Sequence, residues 1–131
     1  MRAIAAIIYV LTSLAIALGA FGHDSNVHKL EEAFASAPAL DPAMLKVVYA
    51  VWHFCSGCML VFGAICLAAW PALRAGARHA LWPPLTIAVF YVVTGIASVL
   101  YTGKPFFWVF TALGLLLVAS ALALRGAAAR A

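Results

Sequence analysis

Of the 131 residues, 67% are hydrophobic and 9% charged, where a soluble domain is near half apolar and a quarter charged. Apolar surface on that scale needs lipid as its solvent, and the length suits one small bundle with no second domain. The net charge of +4 does not signal a nucleic-acid partner, because the eight Lys and Arg are scattered between apolar runs without a basic stripe.

In chain order, the first apolar run covers 4–22. A cleaved signal peptide is the competing reading, with Arg2 ahead of the run and Gly19 and Ala20 near its end. Its apolar core exceeds the ~7–15 residues of such a signal, so a retained helix is expected. The polar stretch 23–46 follows as a loop. Within it Asp24 or Ser25 offers an N-cap, and Val27, Leu30 and Phe34 form an apolar stripe. This predicts a short amphipathic helix on the membrane surface.

Asp41-Pro42 is a second cap signal, launching the apolar run 47–70. A loop, 71–81, leads to a third run, 82–102, whose Pro83 and Pro84 suit a first helical turn. Pro105 does the same for the fourth run, 106–124. Each run is near the ~20 residues that cross a bilayer. The fold class expected is all-α: an integral membrane four-helix bundle with a short amphipathic helix in its external loop. Small residues four apart, Ala15/Gly19, Ala64/Ala68 and Ala119/Ala123, mark candidate close contacts between helices.

Arg2, Arg74, Arg78, Arg125 and Arg130 share one side of a four-crossing chain, which the positive-inside rule makes cytoplasmic. Asp24, Glu31, Glu32 and Asp41 all fall in the loop on the other side. The short basic loops favour a bacterial inner membrane over an organellar one, with both chain ends cytoplasmic.

The stretch "VWHFCSGCM", 51–59, concentrates metal-binding and redox residue types. On one helix, Cys55 and Cys58 lie roughly 140–200° from His53. A single metal site is thereby disfavoured. A redox Cys-x-x-C gains its low thiol pKa at a helix terminus or beside cations, not inside an apolar span. Three cysteines are also an odd number for a disulfide framework. They read as small hydrophobes.

His53 differs, because an ionisable residue within a membrane helix normally faces a partner in the bundle. Tyr49 and Ser56 share its face, and the third run supplies a polar arc of Tyr91, Thr94, Ser98 and Tyr101. These two faces are expected to meet, with His53 neutral and hydrogen-bonded to the third helix as a polar clasp. The alternative is a binding site: His53, with His23 and Tyr49, holding haem, a transition metal or a quinone. No cofactor is the primary expectation.

A coupled transporter needs a titratable group in its path, and none of the four runs contains Asp, Glu, Lys or Arg. A small transporter or channel therefore ranks third. No nucleophile–base pair, phosphate loop or paired inward carboxylates stand out, so an enzyme is not expected.

Two stretches carry a resemblance: "ALGAFGH", 17–23, and "LDPAMLKVVYAVWHF", 40–54. Together with four short spans they resemble the small membrane family called domain of unknown function 423, which includes transmembrane protein 256. Leu18 to Gly22 match its Leu-Gly-Ala-Phe-Gly stretch, and Tyr49 and His53 match its Tyr-x-x-x-His. The resemblance covers the first half of the chain and implies a four-span architecture without an assigned activity. It singles out Tyr49 and His53 as a pair. The expected role is an accessory or scaffold subunit of a membrane assembly, with the lipid bilayer and a second copy or a partner membrane subunit as its partners.

Overall fold

The computed structural model describes residues 2–36 and 41–128. Five α-helices account for most of them: α1 (Arg2–Ser25), α2 (Val27–Ala35), α3 (Pro42–Arg74), α4 (Trp82–Thr102) and α5 (Trp108–Ala128). Single 3₁₀ turns, Arg78–Leu81 and Pro105–Phe107, lead into α4 and α5. No strand occurs among the described residues. Four helical stretches, Arg2–Ala35, Pro42–Arg74, Arg78–Thr102 and Pro105–Gly126, are long and apolar enough to cross a membrane.

The polar loop expected over 23–46 is far shorter. The first helix continues to Ser25 and the second begins at Pro42. Asp41 starts α3 as expected: its carboxylate accepts from the Ala43 N–H at 2.9 Å, and Pro42 occupies the first helical position. At the other end α3 runs through Pro71 to Arg74 instead of stopping at Trp70. In a last turn, proline removes a single bond, which the helix tolerates. The end is closed by a Schellman pair, Gly76 N–H to Leu73 O and Ala77 N–H to Ala72 O, each 3.0 Å, with Gly76 at φ 80°.

The amphipathic helix is present as α2, but Asp24 and Ser25 belong to α1 and the cap position is Asn26. Asn26 makes no side-chain cap; its amide donates to Gly22 O at 2.6 Å, and α1 breaks there.

α1 packs against both α3 and α5, and α4 packs along α5, while α3 and α4 meet over a small area. Glycine sets the two tightest contacts. A Cβ on Gly63 of α3 would stand 2.6 Å from the backbone of Ser13 and Ala17 on α1. One on Gly95 of α4 would stand 2.6 Å from the Thr111 nitrogen on α5. Of the small residues at four-residue spacing, Gly19 faces Met59 of α3, whose Cε a Cβ would approach to 2.9 Å, whereas Ala15, Ala64, Ala68, Ala119 and Ala123 are exposed. The seam runs along Ser13, Ala17 and Gly63 instead.

Tyr9, Ile16, Cys66, Leu73, Leu117 and Leu124 fill the centre with no exposure. The Tyr9 hydroxyl donates to Cys66 O at 2.7 Å, and its ring stacks on Trp70 with centroids 5.8 Å apart. The Arg74 guanidinium lies 5.5 Å over Trp70, and Arg2 donates to the Arg74 carbonyl. Those contacts tie the start of α1 to the end of α3.

Candidate functional site at the His23–His53 end of the first and third helices

From the tie between Arg2 and Arg74, 21 residues outward lead to His23 on α1 and to His53 on α3. At ~1.5 Å per residue both stand about 32 Å from that end. The 21 residues of α4 cover the same span. His23, Asp24 and His53 therefore sit where a four-helix body gives way to α2 and the first turns of α3.

The last four carbonyls of α1 lack helical partners. Gly22 O takes the Asn26 amide and the Ser25 hydroxyl, at 2.6 and 3.1 Å. His23 O takes the Asn26 N–H and the Trp52 indole N–H, both at 3.1 Å. The His23 ring stacks on Trp52 with centroids 4.1 Å apart, and its Nδ1 lies 2.9 Å from the hydroxyl of buried Ser56. Beside it, His53 Nδ1 lies 2.6 Å from Asp24 Oδ1. An ionised carboxylate only accepts, so the ring donates from Nδ1 and keeps Nε2 for another partner. The side chains of His53 and Asp24 are 54% and 48% exposed, so the pair lies on the surface and not in the core.

This corrects the expected clasp between the second and third membrane helices. His53 pairs with Asp24 of α1, because α3 lies along α1 and has little contact with α4. Of the polar arc on α4, Tyr101 is 93% exposed and Thr94 and Ser98 are half-buried. The Ser98 carbonyl accepts from Thr102 within its own helix at 2.6 Å. Tyr91 is buried edge-on against Phe90 and Phe110, and its hydroxyl, like Thr111 Oγ1, has no hydrogen-bond partner among the described residues. Tyr49 is half-buried one turn before His53.

Two of the expected residues, His23 and His53, do come to one place, together with Ser56. The additions are Asp24, read from the sequence as a cap, and Trp52, read as part of an apolar run. Among the described residues no group of three His, Cys, Asp or Glu side chains is placed to hold a metal ion. Cys55, Cys58 and Cys66 are all free, and only Cys66 is buried. Arg130 and Leu40 lie outside the described residues.

An Asp24–His53 hydrogen bond that joins two helices should give a non-additive double-mutant cycle. With Asp24→Asn already made, His53→Gln should change resistance to denaturing detergent much less than it does in the parent protein. Equal effects in both backgrounds would mean that the pair is not coupled.

No family model, curated protein or solved structure matches the chain. The resemblance to the domain of unknown function 423 family therefore rests on the stretches 17–23 and 40–54 and the four apolar runs.

Proposed function

We propose that the chain is a non-catalytic integral membrane protein, an accessory or scaffold subunit of a larger membrane assembly. Its arginine-rich end is cytoplasmic by the positive-inside rule, and a bacterial inner membrane suits its short basic loops. The observation that carries the reading is the outward face of α1. Ile4, Ile7, Leu11, Leu14, Leu18 and Phe21 recur at alternating three- and four-residue steps and are 37–62% exposed. That is the spacing with which one helix packs along another in a left-handed pair, and it lies opposite the face that α3 and α5 cover. The occupant it fits is a transmembrane helix of a partner subunit. The filled centre supports the same choice over a transporter, since Tyr9, Ile16 and Leu117 stand where a path would run.

A second reading has one specific observation in its favour. Asp24 holds His53 by Nδ1 and leaves Nε2 available, the arrangement that orients an imidazole toward a metal, a haem or a quinone carbonyl.

Native mass spectrometry after extraction in mild detergent tests both. The proposal expects kilodaltons of added protein on the 13.8 kDa chain. Leu11→Ala with Leu18→Ala should shed that mass. A bare monomer would overturn the proposal. An added mass of tens to hundreds of daltons, lost in His53→Ala, would establish the second reading.

A further inference from the structure

The arginine-rich end carries two grooves of the same composition. One, of about 510 Å³, is lined by Arg2, Ala6 and Ile7 of α1, Trp70 and Arg74 of α3, and Leu124 of α5. The other, of about 330 Å³, is lined by Arg78, Leu81, Trp82, Leu85, Leu122 and Arg125. Each has two guanidiniums, one indole and aliphatic walls. All four Asp and Glu residues of the chain, Asp24, Glu31, Glu32 and Asp41, lie toward the opposite end of the helices. No acidic side chain of this chain is therefore available to these arginines.

Two charges at the mouth of an apolar groove match an amphiphile with an anionic head. A planar guanidinium binds phosphate through paired N–H donors. Arg2 spends one donor on the Arg74 carbonyl and has others left, and Arg74 is held over Trp70. Trp82, 72% exposed, offers an amphipathic ring at the level where headgroups meet acyl chains. We infer that the two grooves are binding sites for anionic phospholipid, one molecule each, with the phosphodiester between the paired arginines and an acyl chain along the aliphatic wall. The inference rests on the reading of the chain as a membrane protein, and does not depend on a partner subunit.

The test uses the full chain, purified in neutral detergent and freed of co-purified lipid. Retained adducts are counted by native mass spectrometry during titration with phosphatidylglycerol, phosphatidylcholine or glycerol 3-phosphate. Two phosphatidylglycerol molecules should remain at collision energies that strip phosphatidylcholine. Arg78→Gln with Arg125→Gln should remove one of them, weakening that site about 25-fold at roughly fivefold per arginine. Arg78→Lys with Arg125→Lys should retain most of it, and unchanged circular dichroism would show that the Gln pair has folded. Equal retention of phosphatidylcholine, or undiminished phosphatidylglycerol binding in the Gln pair, would overturn the inference. So would equal stabilisation by glycerol 3-phosphate, which would make these phosphate sites with no lipid preference. Failure of the chain to enter liposomes would instead overturn the membrane reading beneath it.

Discussion

Gly63→Leu will destabilise the protein more than any substitution at the polar cluster. A Cβ at position 63 already meets the backbone of Ser13 and Ala17 at 2.6 Å, and backbone cannot rotate aside as a side chain can. The larger residue must push α1 from α3, at a cost at or above the upper end of the ~1–3 kcal/mol typical of overpacking. Gly57 supplies the control on the same helix, because nothing lies within 4 Å of its Cβ position. Gly57→Ala should raise stability by up to ~1 kcal/mol through helix propensity, while Gly63→Ala lowers it. Denaturant titration of the two alanine variants in one detergent decides the matter. Equal responses would mean that α1 and α3 do not approach as described.

The second large effect belongs to Tyr9. Its ring is wholly buried against Trp70, and its hydroxyl reaches across to α3. Tyr9→Ala should cost about 3–5 kcal/mol, the range for an aromatic removed from a packed core. Tyr9→Phe isolates the hydrogen bond to Cys66 O and should cost about 0.6–1.7 kcal/mol, as interhelical bonds in lipid do. A Phe variant as unstable as the Ala variant would show that the hydroxyl, not the ring, organises this end of the bundle.

Much of the architecture was legible in the residues. Apolar runs near 20 residues located four helices, Asp41-Pro42 marked where α3 starts, and Val27, Leu30 and Phe34 outlined α2. Helix ends were harder to read, for identifiable reasons. Hydropathy stops at the first polar residue, whereas a helix continues while its backbone bonds are met. That is why α1 passes His23 and Asp24; α3 passes Pro71 because a proline so near the helix end costs a single backbone bond.

The neighbour of His53 was misread because periodicity gives a face and not the helix that covers it. The third apolar run offered more hydroxyls, so it looked like the partner. The decisive signal was length. With Arg2 and Arg74 at one level, equal counts along antiparallel helices bring His23 level with His53, and Asp24, the next residue, within its reach. The packing seam was equally hidden, since an alanine-rich chain offers many small-residue pairs. Gly63, Gly95 and Gly114 are the ones that meet a backbone on the facing helix, and none of them belongs to those pairs.

The unequal helices bear on how this molecule would respond to bilayer thickness. With 21 residues each, α4 and α5 span about 32 Å, close to the hydrocarbon of an ordinary bilayer. The 33 residues of α3 reach about 50 Å and overshoot it. A thicker membrane would have to bury the His23, Asp24 and His53 cluster on α1 and α3 and would leave the ends of α4 and α5 short of the interface, so it is resisted on both counts. The shorter pair and the cluster would then act together as the gauge, and sorting between membranes would follow that length.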